Sequence, residues 1–418
     1  MAQLSDDCFA FGGKMMSVDE ALTLISSRIT PVGTSETVPL MQADGRILAR
    51  DLIAPIALPP FTNSAVDGYA VQHARLSPGS VSRLPVSGRI EAGAPPALSS
   101  VEAIAVRIFT GAQMPDGFDT VFMQEDVVVG ADGFVELPSG LKHGANVRPA
   151  GEDIAQGAVA IRAGARLAPQ HVALAAALGN TKLNVASRLR VAVFSTGNEL
   201  VSPGEQQKPP QIYDSNRFML MAMLQRLGCD VADLGILRDD RASLASALRA
   251  AARGHDLIIT SGGVSTGEAD HVKGALEDCG SLTFWRIAIK PGRPVAMGVI
   301  DGTPFIGLPG NPAASFITQV YVVRPAVLAL MGSPPAPVTP LPVRAAFHYR
   351  KKEGRREYAR ASLRRADDGV IEAIRFPREG AGLLSSLVDT DGLVELREDV
   401  TRIEPGAGVG FLPYACLF

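Results

Sequence analysis

The spacing of apolar residues predicts the first element. From Ser17, the residues Leu22, Ile25 and Ile29 fall on one helical face, and Ser17-Val-Asp-Glu20 is a capping box. The Ser17 hydroxyl takes a first-turn amide while Glu20 reaches back to the cap; Thr30-Pro31 ends the helix. From about Val38 to Val159 the chain is rich in Gly and Pro, with short alternating apolar runs. Val101 to Phe109 and Thr120 to Val129 read as strands, so this region is mainly β. A helix with Pro169 in its first turn and Gly179 as its stop follows.

From Leu189 the texture becomes alternating β and α. Leu189 to Phe194 is an apolar strand, and Asp214 to Leu227 is an amphipathic helix ending at Gly228. Then come strand Val231 to Ile236, helix Ala242 to Arg253, strand Asp256 to Thr260, helix Val272 to Cys279 and helix Pro312 to Leu330. This order predicts a parallel sheet with helices on both faces. The run Ser333 to Pro342 is the clearest linker, and the strand-like segments beyond it predict a small β domain.

Composition narrows the classes. A chain of 418 residues needs more than one core, and 46% apolar with 20% charged residues is a globular balance. The net charge of −3 offers no global attraction to nucleic acid or anionic membrane, so an anion site must come from locally clustered Lys and Arg. Four scattered cysteines form no C-x-x-C pair, which fits a reducing cytoplasm. The start of the chain lacks the apolar core of a secretory signal. Phe316 to Met331 is expected to break at Arg324-Pro325, too short to span a bilayer. The basic run Arg350 to Arg365 has little aromatic interleaving and is read as an anion-site wall plus a solvated face, not a nucleic-acid patch.

Candidate chemistry gathers where open parallel sheets bind ligands, beyond the carboxyl ends of the strands. There lie Ser195-Thr196-Gly197-Asn198-Glu199, Arg238-Asp239-Asp240 and the run from Thr260 to Asp270. Gly262, Gly263 and Gly267 let backbone approach a ligand, and Ser265 and Thr266 add hydroxyl donors. Asp239 and Asp270 could hold a divalent cation such as Mg2+ against phosphate oxygens. A second turn, Gly307 to Pro312, precedes a helix whose positive end is expected to face the site. Alternation places Arg286, Ala288 and Lys290 on one face before the turn Pro291-Gly292-Arg293. None of the six histidines sits in a credible nucleophile triad.

The pairing of SGGVSTGEAD with WRIAIKPGRPVA and GLPGNP resembles the MoeA/gephyrin E-domain family. So do LPPFTNSAVDGYA, FTGAQMPDGFDTVFMQED, VRPAGEDI, FSTGNEL and YDSNR, in the family's order from about Ser17 to the C-terminus. The resemblance implies a multidomain α/β plus β fold: a central three-layer α/β domain like the molybdopterin adenylyltransferases, with flanking mixed and β domains. The expected domains are 16–54 with 149–187, an inserted β domain 55–148, the α/β domain 188–332 and a C-terminal β domain 333–418.

It further implies a cytoplasmic homodimer that binds adenylylated molybdopterin, accepts molybdate and releases AMP with Mg2+. Its partners would include a molybdopterin adenylyltransferase and molybdoenzyme apoproteins. By resemblance, Asp239 and Asp270 match acidic residues tied to the metal and pyrophosphate, and Glu199 and Asp153 match further acids of the site. Lys290 and Arg360 match molybdate-binding cations, with Arg286 standing where Lys is common. Pro309 and Pro312 match the turn that shapes the pocket, and Thr110 a site threonine. Asn63, Ser64 and Asp67 of the N-terminal signature, with Arg293, complete the expected binding residues.

The sequence departs from the family pattern at Thr62 and Asn198, each for Asp, and at Ala314 for Ser. It departs again at Ala381, where a molybdate-binding Ser is common and Ser385 or Ser386 would have to substitute. These changes motivate an alternative, a paralogue that binds molybdopterin or delivers cofactor without efficient insertion. Receptor scaffolding and adenylyltransferase activity fit less well, since no fused adenylyltransferase domain is seen and β modules flank the α/β domain.

Overall fold

The computed structural model describes residues 15–96, 104–237, 240–262, 271–334 and 337–418, leaving out the side chains of His271 and Phe284. The first helix, Val18–Arg28, starts as its sequence requires, with Ser17 and Glu20 exchanging side-chain-to-backbone hydrogen bonds. Its buried residues Val18, Ala21 and Ile25 pack into the core of the α/β part.

That part is built on a seven-stranded sheet. In spatial order the strands are Met15–Met16, Gly280–Ile287, Pro294–Ile300, Thr303–Leu308, Leu257–Ser261, Arg190–Thr196 and Asp230–Leu237. Separate apolar clusters form on its two faces, as a three-layer arrangement requires. The sheet is mixed, not wholly parallel: Pro294–Ile300 runs antiparallel to both of its neighbours. The reason is connection length, because a parallel pair needs a long crossover and these strands are joined by short turns. At Asp301-Gly302 both residues have positive φ, 46° and 82°, the conformation that closes a tight hairpin.

The last long helix also departs from expectation. Pro312–Thr318 passes through a π turn, Gln319–Val323, into Arg324–Leu330 without stopping at Pro325. The carbonyl that a proline ring would crowd, that of Tyr321, lies within the widened turn, so the helix tolerates Pro325. This helix is apolar and long enough to cross a membrane by length, but most of it is buried in the protein core.

In the N-terminal region, Ser35–Pro39 pairs with Lys182–Ala186 beside the helix Pro169–Ala177. A six-stranded sheet holds residues 68–137. The strand expected from Thr120 to Val129 is interrupted by a 3-10 turn, Gln124–Asp126, where the Gln124 amide donates to Asp67. Of Val101 to Phe109, the strand Ala105–Ile108 is seen and residues 101–103 lie outside the described ones.

The C-terminal sheet has six strands, and one of them, Ile289–Lys290, comes from the α/β part. It pairs in parallel with Arg356–Arg365, placing Lys290 opposite Glu357. Tyr358, Leu393 and Leu412 enter the same core cluster as Ile287 and Val323, so apolar packing continues across the Pro-rich linker.

Candidate functional site

The strand ends at Thr196, Ser261 and Leu308 meet; of the expected Arg238-Asp239-Asp240 loop, residues 238 and 239 lie outside the described residues. The Gly262 amide donates to the Leu308 carbonyl at 3.1 Å, and Gly262 has φ +85° with the Thr196 carbonyl 3.0 Å from where a Cβ would stand. Gly310 packs on Gly262. The Asn216 amide donates to Ser261 Oγ at 2.9 Å and to the Gly310 carbonyl at 2.7 Å, tying the helix Asn216–Arg226 to both turns. Asp214, expected inside that helix, lies before it and pairs with buried Arg217.

Around these ends are buried polar atoms without a protein partner: Ser195 Oγ, Thr196 Oγ1, Thr260 Oγ1, Asn216 Oδ1 and Ser315 Oγ. Buried hydroxyls are ordinarily paired, so these are places where a polar ligand or water would regain hydrogen bonds; strand alternation puts Ser195 on one face of the sheet and Thr196 with Thr260 on the other. Glu199 is exposed just beyond, its carboxylate beside Gly197. Asp239, Gly263, Ser265, Thr266, Gly267 and Asp270 lie outside the described residues. Among the described residues no group of three or more His, Cys, Asp or Glu side chains could hold a metal.

A pocket of about 170 Å³ lies between the turn after Lys290 and the C-terminal sheet. It unites Lys290 and Arg360, which are seventy residues apart in sequence, with Tyr349, Glu357, Arg375, Arg378 and Ala381. The Lys290 ammonium donates to Glu357 Oε2 at 3.1 Å. Burial opposes its charge, yet the bond to Glu357 and the neighbouring groups outweigh burial and hold its pKa above the usual lysine value. Arg360 is buried, with Nε donating to Ser386 Oγ and Nη2 to the Gly380 carbonyl, each at 3.0 Å. Burial pulls its pKa down from the usual arginine value.

Several expectations change here. Ala288 is buried while Arg286 and Lys290 are exposed, because the strand ends at Ile287 and Lys290 joins another sheet. Arg286 and Arg293 do not line the Lys290 pocket; Arg286 is level with Met15 at the sheet edge, and Arg293 donates to the Met15 sulfur. Ser385 is exposed, and Ser386 is the serine that meets Arg360. The helix after Pro312 does not offer its whole first turn to an anion: Pro312 has no N–H, and the Ala313 amide donates to the Ala381 carbonyl. Pro309 and Pro312 are half-buried in this turn.

The N-terminal candidates form a cluster of their own. Asp67 accepts the Thr110 amide at 2.8 Å and the Thr110 hydroxyl at 2.7 Å, and these bonds hold its carboxyl below the usual range. Ser64 donates to Val66, buried Asn63 to the Phe61 carbonyl, and the Thr62 hydroxyl accepts the Ala150 amide. Asp153 is exposed, and its amide donates to Leu58.

Glu357, Tyr349 and Asn216 are not legible as site residues in the sequence, and Ser386 is legible only as an alternative to Ser385. The available signal is charge inside a strand: Arg356 through Ala361 are all buried although three of the six, Arg356, Glu357 and Arg360, are charged. The basic run is accordingly not all a solvated face. Arg356 is held by Asp19 and Glu398, Arg355 by Glu357 and Arg364 by Glu372.

Comparison with known proteins bears on both halves of this site. Residues 16–179 match the MoeA N-terminal region (domain I and II), 192–329 a probable molybdopterin binding domain, and 342–414 the MoeA C-terminal region (domain IV). The molybdopterin molybdenumtransferase of Haemophilus influenzae is 38% identical over 96% of this chain and 99% of its own length. Molybdopterin molybdenumtransferase 2 of Mycobacterium tuberculosis is 36% identical over 88% and 93%. Two crystal structures of MoeA molybdopterin biosynthesis protein from Pyrococcus horikoshii are also similar. One has a TM-score of 0.73 at 32% identity over 96% of this chain and 99% of that one; the other has 0.80 at 27% over 96% and 100%. With the cation pocket and the hydroxyl-lined strand ends in place, these matches over nearly the whole length show that the chain belongs to the MoeA family of molybdopterin molybdenumtransferases.

Proposed function

We propose that this protein inserts molybdate into adenylylated molybdopterin, releasing AMP and yielding molybdenum cofactor. The observation that carries the reading is the pocket in which Lys290 and Arg360 stand together beside Arg375 and Arg378. Molybdate is a compact dianion, and fixed cations with charge-assisted hydrogen bonds suit it. The hydroxyls of Thr196 and Thr260, which share one face of the sheet, would supply donors for the pterin nucleotide at the strand ends. Asp239 and Asp270 would hold Mg2+, which when bound supplies charge to stabilise the leaving phosphate. No side-chain nucleophile is needed, since an oxygen of molybdate or water can attack phosphorus as the pyrophosphate bond breaks.

The hydrogen bonds named for Asn63, Ser64, Asp67 and Thr110 stay within residues 61–110. By resemblance to the family, the protein would be a homodimer in which that cluster serves the partner's pocket. The same reading puts the protein in the cytoplasm, dividing as 16–54 with 149–187, 55–148, 188–332 and 333–418. It would exchange substrate and product with an adenylyltransferase and with molybdoenzyme apoproteins.

A second reading, binding or delivery without efficient insertion, is favoured by one observation: Ala381 lines the pocket without a hydroxyl. Reconstituting a molybdoenzyme apoprotein with the reaction mixture separates the two. Enzyme activity at catalytic amounts of this protein supports insertion; activity only when it arrives preloaded with cofactor supports delivery.

A further inference from the structure

We infer that Glu357 is the positioning residue of the cation pocket, fixing the Lys290 ammonium and matching the pocket's charge to a tetrahedral dianion. The inference rests on the proposed role of the pocket and names a residue and a specificity that reading lacks. Lys290 and Glu357 are cross-strand neighbours in the two-residue parallel pairing that joins the α/β part to the C-terminal sheet. The Glu357 side chain is 2% exposed, whereas that of Lys290 is 45% exposed. The carboxylate is therefore the anchored member and the ammonium the one that faces the pocket.

Glu357 is satisfied by three donors. Its Oε2 accepts Lys290 Nζ at 3.1 Å and the Tyr349 hydroxyl at 2.8 Å, and its Oε1 accepts Arg355 Nη2 at 2.9 Å. A lysine side chain loses considerable rotamer entropy when it is fixed, and a buried carboxylate with two further donors of its own is a rigid post to fix it on. The Tyr349 ring also lies between Lys290 and Arg375, 5.9 and 5.3 Å from its centroid, which spaces the two cations.

The charge balance points the same way. Lys290, Arg360, Arg375 and Arg378 line the pocket against Glu357 and Glu379, leaving two net positive charges. Without Glu357 the excess would be three, and Lys290 would be free to move. A lysine that loses this carboxylate keeps the burial that disfavours its charge and still shares the pocket with Arg360, Arg375 and Arg378; the Tyr349 hydroxyl and Glu379 remain in opposition.

Equilibrium dialysis of molybdate against the full-length protein, from pH 7 to 10.5, tests the inference with Glu357→Gln, Glu357→Asp and Tyr349→Phe. Glu357→Gln should bind molybdate roughly tenfold more weakly at pH 7, with the alkaline loss of binding moved down by about one pH unit or more. Glu357→Asp should restore the alkaline limb, and Tyr349→Phe should weaken binding about threefold while keeping that limb. If Glu357→Gln fails to fold, the aspartate and phenylalanine variants decide. Wild-type affinity and pH dependence in every folded variant would overturn the inference while leaving the pocket reading intact. No molybdate binding by the wild-type protein would overturn both.

Discussion

The backbone amide of Ala313 donates to the carbonyl of Ala381 at 2.9 Å, joining the first turn of the helix after Gly-Asn-Pro to the C-terminal loop. The contact ties together two segments far apart in sequence that flank the candidate pocket. It also consumes a helix N-terminal donor that would otherwise be available to an anion. Charge at this site therefore comes chiefly from side chains, those of Lys290, Arg360, Arg375 and Arg378.

Replacing Lys290 by Ala should lower kcat/KM for molybdate by roughly a hundredfold or more, since a charge-assisted contact to a desolvated dianion is lost. The KM for adenylylated molybdopterin should change little, and so should the circular dichroism spectrum. Steady-state kinetics varying each substrate in turn makes the comparison.

The serines near Arg360 should differ sharply. Ser386→Ala removes the acceptor of Arg360 Nε inside a buried contact and should cost about 1–3 kcal/mol of stability, with weaker molybdate binding. Ser385→Ala, at an exposed position, should leave both within about twofold. Ala381→Ser adds a hydroxyl to the pocket wall and should strengthen molybdate binding severalfold. Thermal melts and molybdate titration read all three.

Gly262→Ala should be destabilising by about 1–3 kcal/mol, because the residue sits at φ +85° with the Thr196 carbonyl 3.0 Å from the added Cβ. Activity should fall with it, since the turn is the meeting point of three strand ends. Urea denaturation and AMP-release rates on the same preparation check both effects.

Asp67 supplies the pH prediction. Its folded carboxyl titrates below the unfolded value because the Thr110 amide and hydroxyl donate to it. The stabilisation is thus present above the unfolded pKa, near pH 4, and is lost as pH falls through the lowered folded value. Asp67→Asn should flatten the urea midpoint between about pH 4 and 2 relative to wild type. Equal slopes in the two proteins would show that the pair contributes nothing to acid stability.

Local chemistry made much of the fold legible in advance. The capping box at Ser17-Glu20, the Gly179 stop and the alternation from Leu189 onward each reflect short-range rules, and they recur in the structure. The antiparallel strand Pro294–Ile300 is not legible because apolar runs do not carry direction; the Asp301-Gly302 turn does. Pro325 was read as a break because a π turn three-dimensionally accommodates what the linear rule forbids. In the site, alternation and resemblance both point to Lys290 and resemblance alone to Arg360, but their meeting depends on a strand pairing across the linker. Glu357 is hidden because burial of charge in Arg356–Arg365 is a tertiary property, and its sequence looks like a solvated basic run.

The central claim is tested most directly by measuring AMP release when the purified protein is mixed with adenylylated molybdopterin and Mg2+, with and without molybdate. The account predicts AMP release that depends on molybdate, accompanied by active molybdenum cofactor, and abolished by Lys290→Ala. Wild-type protein that binds the pterin yet releases no AMP and forms no cofactor in the presence of molybdate would contradict it.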